Sequence, residues 1–446
     1  MKKHLPTWAK WVYGVGAGGF ALIDRILLTW LLFYYVVSPI RGYEPLVSPA
    51  TFGIIMFFGR VVDAVTDPLI ARWSDNHGGK LGRRMPFMLF SGVAYVAVFI
   101  ALFYPPVAGQ APINSIYLIA MLGLYFIFYT AYVCPYVALL PELARTNRER
   151  VDLSTIKGFF GLIAMVIAFG LGGVIIELFS PHGMVWTMGL ISLVMLYFPL
   201  LIKEKDYAVA EPATLGLFEA IRTTFKNRPF IIYLVGNVTF WLGFNIITLC
   251  IPLYVTILLG GTEGDTVIFL GIVMVVALLS FMPLNLCAKK YGLKAVMMTS
   301  LAGFMTILPL AYFMGQSIGF LSPNAFAYLL MALSGVPVAA IFMVPDAIVA
   351  EVSDLEVTLS GQRREAMYYG AQNFILKLAM GLSTLITGFL LEWFGSTPAE
   401  PLGVRLTGPV AAVFLLVGVI VFSRYPQKEI AEQQAEKALR LGKTTE

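Results

Sequence analysis

Three charged residues lie in an apolar stretch that is long enough to cross a membrane. The stretch begins near Phe57 and carries Arg60, Asp63 and Asp67. At 100° per residue, these three side chains lie within about 60° of one another on a helix. Each ionised group facing lipid would cost about 2.5–3.5 kcal/mol. We therefore expect all three to face protein or water.

The two carboxylates of this stretch are one helical turn apart, so they repel each other unless a cation, a shared proton or a basic neighbour intervenes. This arrangement favours a cation or proton site in a transporter, with Asp63 and Asp67 as the metal-ligating residues for Na⁺. The alternative is a structural clasp, in which Arg60 pairs with one carboxylate and Asp67 is passively neutralised.

Helix one carries a second charged pair at membrane depth, Asp24 and Arg25. Adjacent side chains on a helix point about 100° apart, so we expect these two not to pair with each other. Each is expected to pair with a neighbouring helix or to contact a solute. Trp30, further along the same helix, suits either stacking against a sugar or an interfacial aromatic belt.

Polar side chains recur in the later apolar segments. The seventh carries Asn237, Thr239, Trp241 and Asn245 as hydrogen-bonding groups for a solute. The fourth carries Tyr125, Thr130 and Tyr132 near Pro135, which frees a backbone carbonyl, and this oxygen-lined break suits a cation. The predicted solute-binding residues are Asp24, Arg25, Trp30, Tyr132, Asn237, Trp241, Gln372 and Asn373. Lys377 lies well inside the eleventh segment, where it either snorkels or faces a cavity and complements the two carboxylates of helix two.

The composition sets the class of protein. Of 446 residues, 59% are hydrophobic and 13% are charged, and the mean hydropathy is +0.81. Soluble domains are about 25% charged, so a polytopic membrane protein in contact with the lipid bilayer is indicated. The net charge of +5 comes from loops, so no nucleic-acid partner is expected.

Several classes of chemistry have no sequence support. The three cysteines lie in apolar stretches and imply neither disulfides nor zinc. There is no HExxH motif, no nucleophile–histidine pair and no histidine at membrane depth, so an intramembrane enzyme is not expected. We expect no cofactor other than a coupling cation, Na⁺ or H⁺.

Twelve apolar segments are each long enough to span the hydrocarbon core as a helix. They cover residues 10–38, 48–75, 85–105, 113–141, 152–179, 184–202, 229–258, 265–288, 292–315, 324–352, 366–395 and 408–424. The predicted fold is an all-α membrane protein with two pseudo-symmetric six-helix bundles. The predicted domains are a first bundle (1–202), a linker with a surface helix (203–228), a second bundle (229–425) and a cytoplasmic tail (426–446).

Basic residues predict the orientation. If both termini are cytoplasmic, the outer loops hold only Arg41 and Arg405, and the other loop arginines and lysines are inside, as the positive-inside rule requires. This predicts a multi-pass membrane protein with both termini in the cytoplasm. Acidic and basic clusters at matching inner loops are expected to hold a cytoplasmic gate shut. The gate residues are Asp75, Arg83, Arg84, Glu142, Arg150, Arg363 and Arg364.

Several motifs together resemble one family. GRVVDAVTDPL followed by LGRRMPF, PYVALLPEL with the following RER, NRPF, and GQRREAMYYGAQNFILKLAMGL resemble the glycoside–pentoside–hexuronide:cation symporters, the melibiose permease family within the major facilitator superfamily. The resemblance implies the twelve-helix major facilitator fold and symport coupled to Na⁺, Li⁺ or H⁺ by alternating access.

The resemblance also implies roles for single residues. Asp63 and Asp67 match the two acidic cation-site positions, and Thr130 matches a helix-four hydroxyl of that site. Thr66 stands where the melibiose permease has asparagine. The coupling residues Lys377 and Arg60 match the family's helix-eleven lysine and helix-two arginine.

The chain departs from the family at its sugar site. The melibiose permease has acidic residues in helices one and four where this chain has Ala21 and Val133. Asp24 lies one helical turn beyond Ala21. A galactoside specificity is therefore not implied, and Arg25 leaves room for an anionic hexuronide. We expect a symporter of a glycoside, pentoside or hexuronide. The alternative is transport of a lysolipid or another amphiphile, because the helix-two motifs also resemble the lysolipid-transporting branch.

Overall fold

The computed structural model describes residues 4–36, 44–78, 81–144, 146–207, 224–360, 365–427 and 430. Twelve long helices lie within these ranges, and they confirm the twelve segments predicted from the sequence. They are α1 (Thr7–Val36), α2 (Pro49–Asp75), α3 (Met85–Ala101), α4 (Pro112–Leu143), α5 (Asn147–Leu178), α6 (Pro181–Tyr197), α7 (Arg228–Leu253), α8 (Thr266–Tyr291), α9 (Leu293–Ile307), α10 (Pro323–Ser360), α11 (Glu365–Phe394) and α12 (Leu402–Phe422).

Most of these helices are suited to a bilayer. Among the described residues, ten helices are long and apolar enough to cross a membrane, and α3 is a shorter apolar helix. The 27-residue α2 carries the charged residues of the predicted cation site. Three helices continue into a short segment of different helical type. These segments are 3₁₀-helical at Phe198–Leu201 and Leu308–Phe313 and π-helical at Tyr254–Leu258.

Side-chain caps fix where α2 and α5 begin. Ser48 precedes α2 in an extended conformation, and its hydroxyl accepts a hydrogen bond from the backbone N–H of Thr51 at 3.3 Å. Thr146 does the same for α5, accepting from the Glu149 N–H at 3.2 Å, with Glu149 in the first turn. These caps satisfy backbone donors that a helix start leaves without partners.

The glycines of α1 allow close packing of helices. A Cβ atom at Gly14 would overlap Ile156 of α5, and a Cβ atom at Gly18 would overlap the end of the Met195 side chain of α6. At the next residue, Gly19, a Cβ atom would lie 3.0 Å from the backbone of α6 itself. Because larger residues would push these helices apart, the glycines set the position of Asp24 on the same helix relative to its neighbours.

The chain forms two compact units. Unit 1 comprises residues 1–214, 248–271 and 384–404, and unit 2 comprises residues 215–247, 272–383 and 405–446. The linear division into two six-helix bundles stays a prediction. The predicted surface helix of the linker and most of the predicted tail lie outside the described residues; the linker's described start includes a one-turn helix, Glu204–Tyr207.

Within unit 1, the beginning of α2 is in tight contact with the second half of α11. A Cβ atom at Gly53 would lie 2.8 Å from the Thr384 carbonyl oxygen, and a Cβ atom at Gly388 would overlap the Pro49 carbonyl oxygen. The backbone N–H of Ala50 also donates to Glu392 Oε2 at 3.2 Å. We call this the Ser48 end of unit 1. The other end of α2, where the helix finishes, is called the Asp75 end of unit 1.

Candidate functional site

Arg60 lies at the centre of the charged groups that unit 1 buries. Its side chain is 4% exposed. Nη2 lies 3.4 Å from Asp24 Oδ1 of α1, and Nη1 lies 3.5 Å from Asp63 Oδ2, one turn along α2. The guanidinium carbon lies 4.8 Å from the centroid of the Phe126 ring on α4. One cation therefore bridges two carboxylates from different helices and also rests on an aromatic face.

The second oxygen of the Asp63 carboxylate faces hydroxyl groups. Asp63 is fully buried, and its Oδ1 accepts a hydrogen bond from Thr130 Oγ1 of α4 at 3.0 Å. Thr66 Oγ1 lies 3.2 Å from Thr130 Oγ1 and 2.9 Å from the Val62 carbonyl oxygen. The structure therefore brings together three of the four predicted cation-site residues, and they present carboxylate and hydroxyl oxygens.

The fourth predicted cation-site residue, Asp67, lies one turn further along α2 and is half-buried. Its backbone carbonyl accepts a contact from Cys134 Sγ at 3.7 Å. The next residue, Pro68, lies inside the helix. Proline has no N–H, so the carbonyl of Ala64 loses its usual helical donor. The Ala64 carbonyl oxygen is therefore available in the same helical turn as the Asp67 side chain. The sequence already indicates this, because Asp67 is followed directly by Pro68.

The expectation that Asp24 and Arg25 do not pair is wrong. Arg25 Nη2 lies 3.7 Å from Asp24 Oδ2, with 22% of the arginine side chain exposed. The reasoning from Cβ directions failed because the arginine side chain is long enough to turn back toward its neighbour. Asp24 thus lies between two arginines, since Arg60 contacts its other oxygen.

Several aromatic residues line this region of unit 1, and the sequence singled out only Tyr125 among them. Tyr95 of α3 and Tyr125 of α4 place their hydroxyl oxygens 3.1 Å apart, and the Tyr95 and Tyr129 ring centroids lie 5.8 Å apart. Phe126 lies one helical turn before Thr130, so its contact with Arg60 could have been found from spacing on α4. Tyr95 gives no such signal, because it comes from a different apolar segment.

Two predicted solute-binding residues of unit 1 occupy packing positions. Tyr132 is fully buried and donates to the Leu196 carbonyl oxygen at 2.5 Å, which ties α4 to α6. Trp30 is also fully buried, and a Cβ atom at Gly172 of α5 would lie 2.7 Å from its Nε1. In this conformation, both rings therefore hold helices together.

Unit 2 buries a neutral network. Tyr233 of α7 donates to Gln372 Oε1 of α11 at 2.7 Å, and Asn237 Nδ2 donates to the Tyr233 hydroxyl at 3.2 Å. Trp241, one turn further along α7, is half-buried and meets Phe342 of α10 edge to face at 5.7 Å. Two of the predicted solute-binding residues are therefore joined through Tyr233, which the sequence reasoning missed.

The remaining predicted residues of α11 differ in exposure. Asn373 is exposed, and Lys377 is half-buried one turn further along the helix. Both belong to unit 2. The predicted link between Lys377 and the carboxylates of helix two stays a prediction.

The predicted gate residues converge at the Asp75 end of unit 1. Arg84 Nη2 lies 2.6 Å from Asp75 Oδ1 and 2.7 Å from Glu142 Oε1, and Arg83 Nη2 lies 2.5 Å from the same Glu142 oxygen. Arg84 Nη1 also donates to Ser74 Oγ at 2.9 Å. This cluster joins the ends of α2 and α4 to the start of α3.

The other three predicted gate residues differ in how far the structure describes them. Arg150 is exposed near the start of α5. Arg363 and Arg364 lie outside the described residues.

A carboxylate that the sequence reasoning missed caps the start of α3. Glu204 is buried, and its two oxygens accept from the backbone N–H groups of Arg83, Arg84 and Met85 at 2.7, 2.9 and 3.0 Å. Gly82 has a φ of 115°, and any Cβ atom there would overlap this carboxylate. Glu204 is about 120 residues away in sequence, so no local pattern could have revealed the cap.

Comparison with known proteins gives one family match and several full-length relatives. The family model described as MFS/sugar transport protein matches residues 12–429. The chain is 25% identical over 444 residues to the uncharacterized symporter YnaJ of Bacillus subtilis, covering 92% of this chain and 89% of that protein. It is 21% identical over 439 residues to the isoprimeverose transporter of Lactiplantibacillus pentosus, covering 94% and 87%.

A further relative carries a different solute. The chain is 22% identical over 451 residues to the sodium-dependent lysophosphatidylcholine symporter 1 of Xenopus tropicalis, covering 89% of this chain and 83% of that protein. Among solved structures, a bacterial homologue of the human lysosomal transporter Spinster has a TM-score of 0.69 at 12% identity, over 94% of this chain and 97% of that one. The predicted all-α membrane fold of the major facilitator type is confirmed.

Proposed function

Because the chain belongs to the MFS/sugar transport protein family, we propose that it is a symporter that moves a glycoside, pentoside or hexuronide together with Na⁺ or H⁺. It works by alternating access, in which the solute site opens to one side of the membrane at a time. One observation carries the proposal. In unit 1, Arg60 is buried between Asp24 and Asp63, while Thr130 donates to Asp63.

The cation site of the proposal is built around Asp63. Na⁺ would be held by oxygens, and the residues present offer the Asp63 carboxylate and the hydroxyls of Thr130 and Thr66. Asp67, one turn away, supplies a second carboxylate. A proton on Asp63 would serve the same purpose, because either cation reduces the repulsion between two carboxylates in a dry site.

Arg60 is the group that couples the two solutes of the cycle. Its guanidinium is shared between Asp63, on the cation side, and Asp24, on the proposed solute side. When a cation binds Asp63, the guanidinium is less attracted to that carboxylate and interacts more strongly with Asp24. The state of one carboxylate therefore changes the charge available at the other, and this gives the coupling free energy that symport requires. In the proposal, Lys377 supplies a further positive charge to the unloaded carrier.

The contacts at the Ser48 end fit a carrier that is closed at that end of unit 1. The tight approach of Gly53 and Gly388 leaves no room for a solute between these backbones. The proposal assigns this end to the outer side, the Asp75 end to the cytoplasm, and the protein to a bacterial inner membrane with both termini inside. The excess of arginine and lysine in the loops predicted to be inner supports that assignment.

The test is uptake into proteoliposomes containing the full chain, with isoprimeverose as the probe and an imposed Na⁺ or pH gradient. Asp63→Cys should remove Na⁺ stimulation while solute binding stays measurable. Asp67→Cys should remove coupling more broadly and leave only exchange of solute for solute. Asp152→Asn is the matched control, because this half-exposed carboxylate pairs with Lys10 away from the site. If both cysteine variants still accumulate solute with either ion, the cation site lies elsewhere.

A second function stays open because a relative is named for lysophosphatidylcholine. In that case the same cation site would drive transport of an amphiphile. Uptake of lysophosphatidylcholine, measured in the same proteoliposomes, distinguishes the two. Loss of its Na⁺ stimulation in Asp63→Cys would leave the proposed coupling site standing and change only the solute.

A further inference from the structure

Three polar or aromatic residues of α7 share one face. Asn237, Trp241 and Asn245 follow one another at intervals of four residues, so each is displaced by only about 40° from the previous one. At 1.5 Å per residue, the two asparagines are about 12 Å apart along the helix, with the indole between them. All three belong to unit 2.

The two asparagines carry amide atoms that the described residues do not satisfy. Both side chains are fully buried. Among the residues that the structure describes, Asn237 Oδ1 and both amide atoms of Asn245 have no hydrogen-bond partner. Buried polar groups are almost always paired, because burying them without a partner is unfavourable. This face of α7 therefore fits a hydrogen-bonding partner that the described residues do not supply.

The atoms without partners define the chemistry of that partner. Two amide oxygens need hydrogen-bond donors, and one amide nitrogen needs an acceptor. A single cation cannot ligate both oxygens, because they lie about 12 Å apart along the helix. An acyl chain satisfies none of these atoms, and lysophosphatidylcholine has only one hydroxyl donor. A sugar carries several hydroxyl groups that both donate and accept.

Trp241 adds the apolar half of such a site. Its ring is half-buried, and it lies edge to face against Phe244 and Phe342. An aromatic ring flanked by amides matches a sugar ring, which has an apolar C–H face and a polar rim.

We propose that the solute is a polyhydroxylated glycoside with at least two sugar rings that lies along α7, where Asn245 and Asn237 bind its hydroxyl groups and Trp241 contacts its apolar face. The inference rests on the proposed function and names its solute class. Because the amides are buried and without partners among the described residues, the solute binds most tightly to a state that opens this face, and it shifts the carrier toward that state.

The experiment measures dissociation constants by calorimetry on the purified full chain. The probes are isoprimeverose, which has two rings, methyl xyloside, which has one, and lysophosphatidylcholine. Asn245→Leu removes both amide atoms at similar volume. Thr239→Val is the matched control on α7: the sequence offers Thr239 as a hydrogen-bonding group too, but its hydroxyl already donates to the Val235 carbonyl at 2.9 Å, unlike the amides of the asparagines. Asn245→Ala repeats the test if leucine does not fit.

We expect Asn245→Leu to weaken isoprimeverose binding at least tenfold, while the unfolding temperature of the ligand-free protein stays equal or rises. Asn237→Leu should do the same for isoprimeverose, and methyl xyloside should lose affinity in only one of the two variants. Thr239→Val should stay within twofold of the unchanged protein.

Two results would overturn the inference. The first is isoprimeverose affinity within twofold in Asn245→Leu together with a lowered unfolding temperature, which means that internal water satisfies the amide. The second is cation-driven uptake of lysophosphatidylcholine with no uptake of isoprimeverose or methyl xyloside. That result would contradict the solute class but not the proposed cation coupling. If neither ion drives uptake of any probe, both the inference and the proposed function fail.

Discussion

Glu142 and Glu351 occur toward the C-terminal ends of α4 and α10, the fourth helix of each predicted bundle, yet the protein holds them in opposite ways. In unit 1, Arg83 and Arg84 both contact one Glu142 oxygen. In unit 2, Glu351 accepts a hydrogen bond from the neutral hydroxyl of Tyr425 at 3.1 Å. Burial raises the pKa of Glu351, and the Tyr425 hydrogen bond offsets only part of that rise.

The same contrast appears deeper in the two units. Unit 1 places Arg60 between Asp24 and Asp63. In unit 2, neutral hydrogen bonds join Tyr233 to Gln372 and Asn237. Buried ions need counter-ions, and they respond strongly to the arrival of another charge. Neutral amides and hydroxyls respond instead to a partner that can hydrogen-bond. The difference fits cation sensing in unit 1 and recognition of hydroxyl groups in unit 2.

The largest expected effect is that of Arg60→Gln. The substitution leaves two buried carboxylates without their shared counter-charge, and breaking a buried ion pair in this way costs about 3–5 kcal/mol. We expect a lower unfolding temperature and no coupled uptake. Asp24 keeps its contact with Arg25 in this variant, so the double variant Arg60→Gln/Asp63→Asn, which neutralises the fully buried carboxylate, should recover part of the stability but not the coupling. Unchanged stability in the single variant would show that this cluster does not behave as buried charge.

A smaller effect is expected for Arg84→Ala, because Glu142 keeps Arg83. The loss of hydrogen bonds to charged partners should cost about 1.5–3 kcal/mol. Uptake should slow, since the Asp75 end of unit 1 loses a contact between α2, α3 and α4, while solute affinity at equilibrium changes little. Uptake rate and equilibrium binding are measured side by side, with the exposed Arg424→Ala as control. A large loss of affinity with normal uptake would contradict the gate assignment.

Tyr233→Phe tests the neutral network. It removes the hydroxyl that lies between Gln372 and Asn237, and each neutral hydrogen bond contributes about 1 kcal/mol. The loss of thermal stability should be independent of salt concentration, unlike that of Arg60→Gln. Tyr291→Phe, on an exposed ring of α8, is the control. A salt-dependent loss would indicate that the network includes a charged group and would weaken the contrast between the units.

The smallest effect is the pH dependence conferred by Glu351. Its raised pKa means that the folded protein holds this proton more tightly than the unfolded chain does. Stability should therefore fall as the pH rises from the ordinary glutamate range through the raised value. Glu351→Gln stays neutral, so it should gain stability relative to the unchanged protein as the pH increases. Unfolding temperatures of both proteins, measured from acid to mildly alkaline pH, check the sign; a constant difference would contradict it.

The sequence alone determined the helices and the region of the charged site. A membrane leaves a buried backbone few options, so long apolar runs become helices and their ends are visible from caps such as Ser48 and from charge. The cost of charge in lipid likewise pointed to Arg60 and Asp63, because their one-turn spacing is a local property of the helix. The hydroxyl of Thr130 was indicated both by its place near Pro135 in the fourth segment and by the family resemblance, and the structure places it against Asp63.

Only the tertiary structure decided which distant groups meet. No pattern along the chain connects Glu204 to the start of α3 or links Tyr95 with Tyr125. Nor does any pattern show that Asn245 is buried with no hydrogen-bond partner in the part of the chain that the structure describes. Such contacts depend on how helices rotate and approach, and small residues such as Gly18 of α1 set that approach. The Asp24–Arg25 contact shows the same limit: backbone periodicity fixes where a side chain starts, but tertiary packing and side-chain length decide where its charge ends.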